Sequence, residues 1–122
     1  MSKTILIVDD SLSLRQLVSM TLKRAGYEVV EACDGKDALA KLGAAKFDLI
    51  ISDVNMPNMD GLTFLKEIKL IKEHRFTPVI MLTTESAEEK MREGQQSGAK
   101  AWMVKPFKPE QMLAAVTKLT MG

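Results

Sequence analysis

The sequence predicts an α/β domain: one doubly wound, five-stranded parallel sheet with five helices. Two observations carry that class. Short apolar runs rich in β-branched residues alternate strictly with segments of helical periodicity along all 122 residues, and such alternation implies a parallel sheet covered on both faces. Two of those runs end in acids: Ile5-Leu6-Ile7-Val8 leads into Asp9-Asp10, and Leu49-Ile50-Ile51-Ser52 leads into Asp53. Ligands of open α/β sheets bind outside the carboxyl ends of the strands, so these acids act together only if the first and third strands are neighbours. The order 2-1-3-4-5 satisfies that and places the crevice between them.

Residues 5–9 form the first strand. Ser11 caps the helix that follows, with Leu14, Leu17, Val18, Leu22 and Ala25 as its apolar stripe and Arg15, Gln16, Ser19 and Lys23 on the other face. Gly26 ends it as a C′ glycine. Residues 27–32 form the second strand, which Glu28 and Glu31 mark as an edge. Asp34-Gly35 is a turn into a short helix over 36–42, with Ala38, Leu39 and Leu42 inward and Gly43 as its stop. The third strand, 47–53, is expected at the centre of the sheet. After the Asn55-to-Met59 loop, Asp60 caps a helix reaching about Lys72 through Leu62, Leu65 and Ile68, with Phe64 and Ile71 widening its apolar side. Residues 79–83 are the fourth strand. Ser86 and Glu89 make a capping box for a helix over 87–97, whose apolar surface is little more than Ala87, Met91 and Gly94, so light packing is expected. Residues 100–104, with Trp102 inside, are the fifth strand. Pro109 opens the last helix, whose stripe is Met112, Leu113, Val116 and Leu119.

Composition excludes several classes. Hydrophobic residues make up 46% and charged residues 27%, the balance of a globular domain. No stretch approaches the roughly 18 consecutive apolar residues of a membrane helix, and the N-terminus lacks the pattern of a signal peptide, so a cytoplasmic location is expected. The lone Cys33 excludes an internal disulfide or a cysteine-based metal site. A net charge of +1 with dispersed basic residues argues against nucleic acid. The single histidine, His74, falls in the loop before the fourth strand and reads as a surface residue. The chain ends within a turn or two of its last predicted helix, which gives one domain over 1–122 and an output through protein contacts.

Three carboxylates on one sheet edge repel each other, and at least one pKa rises unless a cation offsets them. Mg2+ suits such a site, since it takes oxygen ligands and is usually held by one or two carboxylates plus a phosphate. Lys105, after another apolar run and before Pro106-Phe107, supplies a second positive charge, and Thr83 and Thr84 supply hydroxyls at the end of the fourth strand. Acid pair, central acid, hydroxyl and lysine each follow an apolar run. Together they describe a phosphoryl site with Asp53 as nucleophile.

Those residues stand in four motifs: VDD at Val8 to Asp10, SDVNMPNMDG at Ser52 to Gly61, LTTES at Leu82 to Ser86, and VKPF at Val104 to Phe107. In that order and at those separations they resemble the receiver domain of two-component response regulators, most of all the stand-alone chemotaxis response regulators, across essentially the whole chain. The resemblance implies the flavodoxin-like receiver fold and makes the strand order firm. It implies that Asp53 accepts a phosphoryl group from the histidine of a sensor kinase. Asp10 is then a direct Mg2+ ligand, Asp9 holds a metal-bound water, and the backbone carbonyl of Asn55 joins Asp53 in the ligand set. Lys105 pairs with Asp53 before transfer and with the phosphoryl group afterwards, and its bond to Pro106 is a candidate cis peptide. Thr83 is the switch hydroxyl, with Thr84 the small residue that leaves access for the donor. Asn55 and Glu85 flank the path of the attacking water and match the chemotaxis pattern, which implies fast self-dephosphorylation. The aromatic switch position is Trp102, where the chemotaxis proteins usually carry tyrosine.

By the same resemblance the switching face comprises the 87–97 helix, the fifth strand and the last helix. The implied partners are a chemotaxis kinase, a flagellar motor switch protein and a dedicated phosphatase, with no nucleic acid and no membrane. Receivers without an effector domain are often monomeric. Such a module assists its own Mg2+-dependent transfer and hydrolysis, yet its product is a conformation. A phosphorelay shuttle, or a regulator of a non-motor target, shares all of this chemistry, and Trp102 and the moderately basic start of the last helix (Lys105, Lys108) leave that partner open. A small aspartate-nucleophile phosphatase needs a second acid two residues after its nucleophile, where this chain has Asn55. A flavin binder needs a phosphate-cradling loop where Asp9-Asp10 stand, and those acids repel its phosphate.

Overall fold

The computed structural model describes residues 3–43, 46–83, 92–93 and 95–121. Its strands are β1 (Thr4–Val8), β2 (Glu28–Ala32), β3 (Leu49–Asp53), β4 (Val79–Thr83) and β5 (Ala101–Val104). They form one parallel sheet in the order β2-β1-β3-β4-β5, as expected. Val8 lies opposite Ser52, so Asp9 and Asp53 leave the sheet side by side at its carboxyl edge. β3 and β4 are buried along their whole length, while the edge strands β2 and β5 are largely half-buried. Strands covered on both faces have no solvent side to be polar on, which is why β4 reads VIMLT without alternation.

Among the described residues there are four α-helices, α1 (Leu12–Arg24), α2 (Gly35–Leu42), α3 (Gly61–Leu70) and α4 (Pro109–Thr120), and a 3-10 turn at Lys72–His74. This is one fewer than the five expected. The missing one is the 87–97 helix: residues 92–93 and 95–96 are helical, but Ser86, Glu89 and most of its length lie outside the described residues. Alternate strand positions feed two cores. Leu6, Val8, Ile50 and Met81 pack with Ala38 and Leu42 of α2 and Phe64, Leu65 and Ile68 of α3. Ile5, Ile7, Ile51 and Leu82 pack with Val18 and Leu22 of α1 and Met112 and Val116 of α4. No helix among the described residues is long and apolar enough to cross a membrane.

Ser11 and Asp60 cap as the sequence predicts, and Asp34, read as a turn residue, is a cap too. Ser11, Asp34 and Asp60 each accept a hydrogen bond from a first-turn amide, of Leu14, Asp37 and Thr63 respectively. Two surface assignments change. α1 touches both β2 and α4, which turns its buried stripe toward Val18, Ser19 and Leu22 and leaves Leu17 46% exposed. His74 is buried rather than superficial, at 2% exposure. Its ring lies 6.3 Å from that of Phe47, and Nε2 is 3.1 Å from the carbonyl of Leu42, the last residue of α2. A carbonyl only accepts, so Nε2 carries the hydrogen. The 3-10 turn thus delivers a donor to one of the orphan carbonyls at a helix end. His74→Ala should remove the donor and leave a cavity, costing about 2–4 kcal/mol. A urea midpoint equal to that of the wild type would refute this.

Candidate functional site

Asp9, at 1% exposure, and Asp53, at 4%, are buried where β1 and β3 end, and Asp10 next to them is exposed. One carboxylate oxygen of each lies within 4.8 Å of the others. Lys105 enters from the end of β5. Its Nζ donates to Asp9 Oδ2 at 3.1 Å and lies 3.3 Å from Asp53 Oδ1. The Lys105-Pro106 bond is cis, and the Lys105 amide donates to the Thr83 carbonyl at 2.6 Å. Thr83 itself is fully buried at the end of β4. The sequence-predicted acids, lysine and threonine therefore share one edge of the sheet. Thr84 and Glu85 lie outside the described residues.

When all three acids are ionised, one ammonium leaves two negative charges unmatched. The carboxyl of Asp53 is accordingly held above the usual carboxylate range. Burial is the main cause and the charge of Asp9 the next; Lys105 opposes both, and Asp10 adds a smaller upward push. These residues fit a hard divalent cation: the donors are all oxygen, they converge, and Asp10 keeps one side open to water.

Proton and metal then compete for Asp53. A raised folded pKa favours the protonated fold, so that contribution to stability is present below the unperturbed value of 3.8 and is lost as pH rises through the raised one. Affinity for Mg2+ runs the other way. It should fall as pH is lowered through the raised value, above the range of an exposed carboxylate. Calorimetric titration over a pH series checks this, and an affinity that is flat until the ordinary carboxylate range would contradict it.

The backbone around the acids is held closely. The carboxylate Oδ1 of Asp9 accepts from the amide of Ser11 at 2.8 Å, and its carbonyl accepts from Arg15 Nη1 at 2.7 Å. Arg15 Nε pairs in turn with Glu31 Oε1 at 3.0 Å. After Asp53, the Val54 amide donates to the Leu82 carbonyl at 2.8 Å and the Gly61 amide to the Val54 carbonyl at 2.7 Å. Gly61 lies so close beneath this turn that a Cβ on it would stand 2.2 Å from the Asp53 carbonyl oxygen. Asn58 adopts φ 69° and donates through Nδ2 to Asp34 Oδ2 at 2.8 Å, tying the loop to the start of α2. Asn55 is exposed and borders a cavity of about 270 Å³, lined also by Asp60, Lys66 and Glu93.

Trp102 lies opposite Met81 on β4 and packs, half-buried, against the α2–α3 core. Among the described residues its indole Nε1 is buried without a hydrogen-bond partner. Two contributions to the site were not read from the sequence. Arg15 reads as one polar residue of an amphipathic helix, and Gly61 only as the last residue of the SDVNMPNMDG motif. The one available hint for Arg15 was its place in the first turns of a helix that starts directly after the acid pair.

Comparison with known proteins agrees with this geometry. The chain is 51% identical to the chemotaxis response regulator CheY4 of Vibrio cholerae, over 98% of this chain and 99% of that one, with a TM-score of 0.93. The receiver domain of the sensor histidine kinase PA1611 from Pseudomonas aeruginosa PAO1, solved with a magnesium ion coordinated in its active site cleft, is 25% identical over 98% of each chain, with a TM-score of 0.89. The alkaline phosphatase synthesis transcriptional regulatory protein PhoP of Bacillus subtilis (strain 168) is 39% identical over 116 residues, which are 95% of this chain and 48% of that protein. The chain spans about half the length of the curated relatives it matches. The model of the response regulator receiver domain covers residues 5–117, from the first strand into the last helix and across every acid and lysine described above. By that match, this chain belongs to the response regulator receiver domain family.

Proposed function

We propose that the chain is a phosphorylation-activated signalling switch of the chemotaxis type, a receiver over 1–122 that works in the cytoplasm. The observation that carries the reading is a buried Asp53 sharing one lysine with Asp9 in an acid cluster that is short of positive charge. A carboxylate oxygen of Asp53 attacks the phosphorus of a kinase phosphohistidine; the O–P bond forms, the N–P bond breaks, and the imidazole leaves with the electron pair. Asp10, Asp53 and the Asn55 carbonyl would hold Mg2+, with Asp9 holding a metal-bound water, and the ion would supply charge neutralisation at the phosphoryl oxygens. Lys105 passes from the carboxylates to a phosphoryl oxygen. The Thr83 hydroxyl donates to another, drawing the residues after β4 inward, while Thr84 leaves the donor its access. Asn55 and Glu85 orient the water that ends the signal.

Trp102 responds to that movement from β5, and the altered face of 87–97, β5 and α4 is offered to a flagellar motor switch protein. The likeness to CheY4 over nearly the whole of both chains supports this output. A chemotaxis kinase is the donor in this reading and a dedicated phosphatase a further partner; the receiver acts as a monomer. A second reading keeps the chemistry and changes the target. It is favoured by Trp102 at the aromatic position and by the match to receivers of transcriptional regulators.

Fluorescence of the single tryptophan tests both. The protein is titrated with the N-terminal peptide of a flagellar switch protein, first in Mg2+ and then in Mg2+ with beryllofluoride as an acyl-phosphate mimic. Tighter binding in the activated sample alone supports the motor output. A fluorescence change on activation with no peptide binding moves the output to the second reading. Silence in both measurements overturns the switch itself.

A further inference from the structure

Asp9 is held at every polar group it has. Its amide donates to the Ala32 carbonyl at 3.2 Å, Oδ1 accepts from the Ser11 amide at 2.8 Å, Oδ2 accepts from Lys105 at 3.1 Å, and its carbonyl accepts from Arg15 Nη1 at 2.7 Å. Two of these bear on Asp10: the carbonyl bond from Arg15 before it and the Ser11 amide bond after it. The Asp9 carbonyl and the Asp10 amide belong to one rigid peptide plane, which Arg15 holds. With the following plane held through the Ser11 amide, the direction in which the Asp10 side chain leaves the backbone is fixed. Asp10 is exposed, and packing does not do that for it.

The guanidinium of Arg15 is well suited to the task. Its side chain is 15% exposed, and it spans two acceptors at once, the Asp9 carbonyl through Nη1 and Glu31 Oε1 through Nε. Glu31 is on β2 and Arg15 on α1, so the pair braces the turn between β1 and α1 from two neighbouring elements. A planar fork can serve two acceptors in a fixed relation; a lysine ammonium on a flexible stem does not hold that geometry.

We propose that Arg15, braced by Glu31, is a positioning residue that aims Asp10 at the metal of the acid cluster. The inference rests on the reading of that cluster as a Mg2+ site. Its sign separates it from simple electrostatics. Arg15 is a cation close to a cation site, so removing its charge should tighten Mg2+ binding if charge were its only influence. Positioning requires the reverse.

The test is a calorimetric Mg2+ titration of the whole chain and its variants, each shown to be folded by circular dichroism. Arg15→Met should bind Mg2+ about 10–100-fold more weakly, the usual loss when the group orienting a metal ligand is removed. Arg15→Lys, which keeps the charge and loses the fork, should not restore the affinity. Arg15→Lys carries the test if Arg15→Met fails to fold, because it leaves the charge in place and removes only the fork. Equal or tighter binding by folded Arg15→Met, or full affinity in Arg15→Lys, overturns the proposal and leaves the Mg2+ site standing. A wild-type chain that binds no Mg2+ removes the site, and this inference with it.

Discussion

Asp53→Asn should leave the fold intact and reduce phosphoryl uptake from a small donor such as acetyl phosphate by at least about 10³-fold. The amide has nearly the shape of the carboxylate and neither its charge nor its nucleophilic oxygen. Among the described residues no other buried carboxylate at the sheet edge is free to replace it, because Asp9 is already committed to Ser11 and Lys105 and Asp10 is exposed. The same substitution should make the metal-free protein more stable. The carboxyl of Asp53 is held above its usual range by burial and by Asp9, so its ionised form is a burden on the empty site at neutral pH. Lys105 keeps one partner in Asp9 when Asp53 is neutral. Intact-mass measurement after incubation with donor and Mg2+ checks the first expectation, and a phosphoryl adduct on the variant would overturn the assignment of the nucleophile. Urea unfolding in chelator checks the second. A midpoint below that of the wild type would mean that the ionised carboxylate stabilises the site.

Gly61→Ala is the second large effect, and helix propensity gives it the wrong sign. Gly61 is the first residue of α3, and alanine in a helix is favoured over glycine by up to about 1 kcal/mol. The space forbids that gain. The added Cβ would stand 2.2 Å from the Asp53 carbonyl oxygen and 2.8 Å from both Val54 Cα and Met81 Cε. The methionine tip can turn away, but the other two atoms belong to the backbone at the end of β3. Either α3 withdraws or the Asp53 turn moves. The net cost should be about 2–4 kcal/mol, with slower phosphorylation in whatever fraction stays folded, because the turn that shifts is the one that carries the nucleophile. A urea midpoint at or above that of the wild type would show that the turn has room to yield.

What was legible from the sequence follows a physical rule. Asp9, Asp53, Thr83 and Lys105 each end an apolar run, and a parallel sheet gathers the ends of its strands on one edge, so their meeting could be read from order alone. Ser11 and Asp60 were readable as caps because capping acts over three residues, whereas Asp34, read as part of a turn, caps α2 as well. The misreadings are of contacts between distant parts of the chain. His74 meets a carbonyl 32 residues earlier, and no local pattern marks a loop histidine as the donor that a particular helix end requires. Ser19 is buried because α1 leans on β2 as well as on α4; periodicity finds an apolar face but not where its centre will press. Arg15 and Gly61 act on the site through the backbone of other residues: Arg15 stands in none of the four motifs, and Gly61 closes one without the motif saying which backbone its missing side chain makes room for.

The carboxylate of Asp34 has two clients. One oxygen accepts from the Asp37 amide in the first turn of α2, the other from the side chain of Asn58 in the loop that follows Asp53. Both bonds hold its carboxyl below the usual range, the one from Asp37 more than the one from Asn58. A group that grips two elements makes their local openings interdependent. When the loop slackens around Asn58, the first turn of α2 loses a constraint as well. Deuterium exchange at the amide of Asp37 is therefore a clock for a segment to which that amide does not belong.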